Sequence, residues 1–306
     1  MPVSKNRRKK TKKPTEETPP SAKAQIDTPV DRKSMEKMMA ELTRDPASAQ
    51  FLEDLFDDDG EDAPLWEAQE IMYEAWEAGS KRARISLARQ ALKVSDLCAD
   101  AYVLLAEEAA KTIVEARDYY ELGVAAGKKA IGPEAFEHDV GHFWGLLETR
   151  PYMRARCGLA HCLWDLGERK EAAQHLLDQL RLNPNDNQGL RYILMSWLLA
   201  LDDDQELEKT LDDYQEASAW ATYSRALLLF KRHGPSASAN KALEEAVKNN
   251  SHVADFLLRA KPMPRTLPEY YSPGSKEEAV FYLNDNRENW ATTEGALQWL
   301  AKTTQK

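Results

Sequence analysis

The chain has 306 residues, 42% of them hydrophobic, with a mean hydropathy of −0.63, so it holds enough apolar content for a core in a composition suited to water. No apolar run reaches the ~18 residues of a membrane span, and the charged N-terminus is not followed by the apolar region of a secretion signal. The net charge of −10 divides into +7 on residues 1–13 and −17 on the remainder, which excludes a body that attracts nucleic acid over its whole surface.

Residues 1–33 read as a disordered tail. The block KNRRKKTKK is basic, and the Pro- and Thr-rich stretch after it has no apolar periodicity with which to offset the entropy of folding. A nucleic-acid or ribosome contact would run through Lys5–Lys13, although no aromatic residue is interleaved for base stacking. Over 34–62 follow two short amphipathic patterns, Met35, Met38, Met39 and Leu42, then Phe51, Leu52, Leu55 and Phe56. The acidic run 57–62 lacks the alternating ligands and terminal Glu of a calcium loop and reads as a linker.

From residue 64 the pattern becomes helical and repetitive. Ala68, Met72 and Ala75, then Ala88 and Ala91, form one helix pair, and Tyr102, Leu105, Ala106, Ala116 and Tyr120 form a second whose start lies 34 residues on. After an irregular insertion at about 127–150, the clearest unit spans residues 152–186. Counting Met153 as position 1, Leu159 stands at 7, Ala160 at 8, Leu163 at 11, Gly167 at 15, Ala172 at 20, Leu176 at 24 and Pro184 at 32. Small residues at 8 and 20 let two helices approach, larger ones fill the gap, and Gly167 suits a helix end of positive φ. Leu190, Leu194 and Trp197 with Leu207 and Leu211 give a fourth pair. Trp220, Tyr223 and Leu227 with Ala239, Leu243 and Ala246 give a fifth. The Pro-rich stretch 261–268 ends the array, and two terminal helices carrying Phe281, Trp290, Leu297, Trp299 and Leu300 are expected to cap its last pair.

The expected fold is therefore all-α: a tetratricopeptide-like right-handed α-solenoid of five helix pairs over 64–260, with a disordered basic N-terminal tail and C-terminal capping helices over 261–306. In such an array the first helix of each pair lines a concave groove, and insertions fall on one face where binding residues gather. His142, Phe143, Trp144, Arg150, Tyr152, Arg154 and Arg156 cluster here, followed by Asn187, Arg191 and Tyr192. With Arg154, Asn187 and Arg191 facing the groove, they would form an anion or carboxylate site on an acidic body. Equally, Phe143 and Trp144 belong to the core and the arginines pair with Glu148, Asp165 or Glu168.

Catalytic signals are sparse. His138 and His142 are spaced to share a helix face as zinc ligands do, with Gly141 between them and no third ligand evident. Cys157 and Cys162 are about 140° apart around a helix and do not converge. His161 beside Cys162 is the one arrangement from which a nucleophile could be built, against the ordinary reading of buried thiols. Three cysteines, Cys98 included, are an odd set that fits a reducing, cytoplasmic compartment. The sequon at Asn249-Asn250-Ser251 reads as chance without a secretion signal. No phosphate loop, nucleophile elbow or nucleotide fingerprint occurs, and no cofactor is expected.

Certain stretches go beyond a generic repeat. Ala101-Tyr102-Val103-Leu104-Leu105-Ala106-Glu107-Glu108, Asn249-Asn250-Ser251-His252-Val253 and Trp290-Ala291-Thr292-Thr293-Glu294-Gly295-Ala296-Leu297 resemble the suppressor of tumorigenicity seven family. GHFWGLLETRPYMRARCGLAHCLWDLGE with NPNDNQGLRY is similar to related uncharacterised bacterial tetratricopeptide proteins. The resemblance covers roughly 65–305 and implies a helical repeat fold without catalytic residues to transfer. Animal members carry membrane-spanning segments near their N-terminus, a feature without counterpart in this sequence. Peptide-clamping tetratricopeptide domains place Lys, Asn and Arg on the first helix, whereas positions 5 and 9 of the third unit are Cys157 and His161, a departure from that clamp. The first expectation is a non-enzymatic scaffold binding a protein or peptide segment in the concave groove. The alternatives are an RNA- or ribosome-associated factor anchored by the tail, and a metal-dependent enzyme using His138 and His142.

Overall fold

The computed structural model describes residues 63–259 and 261–304. The tail, amphipathic patterns and acidic linker expected over 1–62 lie outside the described residues. Among the described residues every regular element is a helix: α1 (Ala63–Glu77), α2 (Lys81–Val94), α3 (Ala99–Glu108), α4 (Ile113–Ile131), α5 (Ala135–His138), α6 (Arg150–Leu166), α7 (Arg169–Leu182), α8 (Leu190–Leu201), α9 (Asp204–Asp213), α10 (Ala219–His233), α11 (Ala237–Asn249), α12 (Ser251–Leu257), α13 (Lys276–Thr292) and α14 (Ala296–Thr304). The pairs α1/α2, α3/α4, α6/α7, α8/α9 and α10/α11 each pack together. Neighbouring pairs stack through α1 on α3, α3 on α6 and α8 on α10, so the chain is an all-helical stack of two-helix units.

Local chemistry sets the helix ends. Ser80, Thr112, Ser218, Ser236 and Ser275 each accept a hydrogen bond from the backbone N–H three residues on, fixing the starts of α2, α4, α10, α11 and α13. Gly167 closes α6 at φ +92°, a conformation that costs a residue with a Cβ more than it costs glycine. The residues that recur at spacings of three and four, among them Ala68, Met72, Leu159, Leu163, Leu194, Tyr223 and Leu243, are buried.

The tightest crossing is α4 on α6. A methyl placed on Gly127 would lie 3.0 Å from the Tyr152 Cα and 2.9 Å from its Cβ, and one on Gly123 would meet the Ala155 Cβ at 3.1 Å. Glycine at these i, i+4 positions lets the two backbones meet.

The insertion is a packed element. Phe143 is fully buried with Tyr152, Met153 and Leu182, and Phe136 and Trp144 close around them. The backbone N–H groups of Gly141 and Phe143 both donate to the Leu182 carbonyl, at 3.0 and 3.2 Å, which ties the insertion to the end of α7. Thr149 Oγ1 donates to the carbonyls of Phe143 and Leu146, and Arg150 Nε donates to the Trp144 carbonyl at 2.9 Å.

The C-terminal helices do more than cap the last pair. α14 covers α11 and α12, but α13 also lies across α8 and α10. Tyr282, Asn286 and Trp290, spaced by four, form its buried face. Asn286 Nδ2 donates to Ser196 Oγ at 2.7 Å, Asn289 Nδ2 donates to the Ser196 carbonyl at 3.0 Å, and Trp290 Nε1 donates to the Tyr282 hydroxyl at 2.8 Å. At its start the buried Glu278 carboxylate accepts from Ala219 N, Asn250 Nδ2 and Gly274 N, locking α13 to the fifth pair. Part of the face of α8 and α10 is thus covered by the chain's own side chains, because α13 presents an apolar and amide face that matches it.

Gly127→Ala tests the close approach. In an exposed helix interior this change gains roughly 0.5–1 kcal/mol. Here the methyl meets backbone rather than a movable side chain, so the expected result is a net loss of about 1–3 kcal/mol in denaturant unfolding.

Candidate functional site

The residues expected to bind a partner separate into three environments. Phe143 and Tyr152 are core, at 0% and 4% exposure, and are corrected from surface to interior: the insertion folds back on α7 and buries them. His142 and Asn187 are exposed. Trp144 is half-buried beneath Arg150, whose guanidinium carbon lies 5.6 Å from the ring centroid.

The remaining arginines are held by carboxylates of the chain. Arg154 Nε donates to Asp100 Oδ1 at 2.8 Å, and its guanidinium also lies 5.6 Å from the Trp76 ring centroid. Asp100 is 1% exposed on α3 and takes a further hydrogen bond from Gln69 Nε2 at 3.1 Å. Arg156 bonds Tyr152, His175 and Asp178. Arg191 bridges Asp186 at 2.8 Å and Glu216 at 3.0 Å, donates to the Tyr192 hydroxyl at 2.6 Å, and stacks 4.2 Å from the Tyr192 ring centroid. The ion partners are Asp100, Asp178, Asp186 and Glu216, residues far from the arginines in sequence or across a turn, and not Glu148, Asp165 or Glu168. Asp186 explains much of the NPNDNQGLRY stretch. It sits at φ +48°, and its carboxylate accepts from Leu190 N at 2.7 Å and Arg191 N at 3.0 Å, capping α8 while it holds the Arg191 side chain.

His138 and His142 do not share a helix face: α5 ends at His138, and Gly141 turns the chain at φ +99°. Among the described residues no group of three His, Cys, Asp or Glu is placed to hold a metal ion. Burial pushes the thiols of Cys98 and Cys157 up to about 11, and raises that of Cys162, so all three are protonated at neutral pH.

The helix stack also holds a cavity of about 1070 Å³ where α6, α8 and α10 face the C-terminal half of α13. Trp164 and Trp197 stack with centroids 4.4 Å apart and 4° between planes, and with Phe230 they form an aromatic floor. His161 stands edge-on to Trp197 at 5.5 Å. It opens to the cavity yet is walled by protein, so desolvation lowers its pKa despite Asp165 and Asp285, and it is neutral at pH 7. Asp285 accepts from Trp220 Nε1 at 3.1 Å, and surrounding protein raises its carboxyl from the ordinary range. These residues were missed as a site. The available signal was the continuation, at helical spacing, of one α6 stripe from Arg154 through Cys157 and His161 to Trp164. No local signal announced Asp285, which belongs to a helix more than 100 residues downstream.

The pairing of Arg154 with Asp100 makes a stability prediction. Arg154→Ala strands a buried carboxylate, and because the arginine is itself one-third exposed the expected loss is about 2–3 kcal/mol, read from the urea unfolding midpoint. An unchanged midpoint would mean that water reaches Asp100 readily.

Comparison with known proteins gives one consistent answer. The family model for the ST7 protein matches residues 45–306. A suppressor of tumorigenicity 7 protein-like from Gallus gallus is 31% identical over 259 residues, covering 75% of this chain and 45% of that protein. The protein of the same name from Homo sapiens is 30% identical over 256 residues (76% and 44%), and the ST7 homolog of Drosophila melanogaster is 30% identical over 258 residues (76% and 48%). The chain spans a little under half the length of the curated relatives it matches, and their names state no enzymatic activity. A repeat core matched by the family model over most of its length, and by relatives from insects to mammals, places this chain in the ST7 protein family.

Proposed function

We propose that this chain is a non-enzymatic interaction scaffold of tetratricopeptide type, which receives a segment of a partner protein on the inner wall of its helix stack. The observation that carries this reading is the cavity between α6, α8, α10 and α13. It has the volume of a ligand pocket and an aromatic floor pre-ordered by stacking. A binding surface held by packed helices loses little entropy on docking. The three thiols are protonated, and Arg154 and Arg191 are already engaged by carboxylates, which supports binding over chemistry. Three free thiols support the cytoplasmic reading.

The site differs from the cluster expected over 142–192. Arg154 and Arg191 act as struts under the wall, and the docking surface lies one to two helical turns further along α6 and α8. Ala200 is exposed and lines the cavity, so Ala200→Trp obstructs it from an exposed position. In a peptide-display selection, segments retained by the wild-type chain are expected to be lost from the Ala200→Trp variant. Retention of the same segments by both would remove the cavity from the reading.

A further inference from the structure

The charge around the cavity points to the chemistry of its occupant, an inference that rests on the docking reading above. Its lining holds five carboxylates, Asp165, Asp202, Asp285, Glu288 and Glu294, against Arg169 and Lys231, with His161 neutral. Lys231 is paired with a carboxylate, and Arg169 keeps its charge over an aromatic ring, so the lining stays net negative. Lys231 Nζ donates to Asp202 and to the Leu199 carbonyl, and Arg169 lies over the Trp164 ring at 5.0 Å. Asp165, Asp285, Glu288 and Glu294 have no lysine or arginine partner among the described residues. Elsewhere on the wall the opposite holds: Arg154 and Arg191 are each neutralised by a buried aspartate. The uncompensated charge facing this cavity is therefore negative, which disfavours a carboxylate, a phosphate or an acidic peptide.

The acids form a row rather than a point. Asp285 and Glu288 are separated by about 4.5 Å along the α13 axis, and Glu294 follows beyond its end. The apolar part of the same lining is the half-buried Trp164 with Trp197 and Phe230, which are 7% and 9% exposed. Lysine and arginine combine a cationic head with a methylene stem that prefers apolar surface, so they match both layers at once. We propose that the cavity takes a lysine- or arginine-rich segment of a partner protein, its cationic heads held by Asp165, Asp285, Glu288 and Glu294 and its stems lying along the apolar lining beside Trp164.

The test uses the full chain, titrated calorimetrically with hexalysine and with hexaglutamate. Glu288→Lys/Glu294→Lys reverses two exposed rim charges, and Glu244→Lys/Glu245→Lys makes the same change in net charge at exposed positions on α11. Hexalysine is expected to bind the wild-type chain, more weakly as salt is raised, and to bind the α11 variant comparably. It should lose about tenfold or more in affinity with the rim variant and fail to bind Ala200→Trp, while hexaglutamate does not bind. Equal losses in the two charge variants, or hexalysine binding that persists in Ala200→Trp, overturns the assignment. Should display selection return cavity-dependent segments without excess positive charge, docking stands and the cationic occupant falls. If no segment of any charge depends on the cavity, both readings fall.

Discussion

Between α4 and α6 the backbones approach until Gly127 leaves no room for a methyl group against Tyr152, and this closeness is the constraint from which the rest follows. Two-helix units cannot bury their apolar faces alone, so each must lie against the next at a distance set by its smallest residues. Gly123 facing Ala155 and Gly127 facing Tyr152 set that distance at the second junction. They also fix the angle at which α6 leaves it, and with it the positions of Arg154, His161 and Trp164. A wider crossing would pull Arg154 away from Asp100 on α3.

Polar groups inside the stack are used as fasteners. Asp100, Asp186 and Glu278 are buried carboxylates, and each is satisfied by several donors: Arg154 and Gln69, Arg191 and two backbone N–H groups, Asn250 and two more backbone N–H groups. A buried ion pair adds little net stability compared with apolar packing, but removing one partner is expensive. Such groups therefore select one register among the helices. Asn250 also accepts from His252 N, so the Asn249-Asn250-Ser251 segment has a structural task at the junction of α11, α12 and α13.

The aromatic residues divide in a similar way. Phe143 and Tyr152 disappear into the joint between the insertion and α7, and Tyr282 and Trp290 into the joint between α13 and α10. Trp164 remains partly open, ordered by its stacking on the buried Trp197. With α13 closing one side, the face of α6, α8 and α10 holds a bounded cavity, and the acidic residues of α13 give it a sign of charge opposite to the one that the arginines of α6 and α8 suggest.

The amino-acid sequence by itself determined the helix pairs, because a 3.6-residue period of apolar side chains, punctuated by Gly167 and Pro184, can bury itself in few other ways. Family membership was legible too, in stretches such as Ala101–Glu108 and 249–253. The sequence showed that arginines and aromatics gather near residue 150, but it could not show which face they would take. Ion partners are chosen by proximity in space: Arg154 meets Asp100 from 54 residues away, and Ser196 meets Asn286 from 90. Only the tertiary structure decided that Arg154 and Arg191 are neutralised, that α13 folds back along α8 and α10, and that carboxylates with no lysine or arginine partner among the described residues line the cavity beside Trp164. Helix periodicity is a local property of the chain, whereas the charge of a cavity is a sum over helices that the sequence keeps far apart.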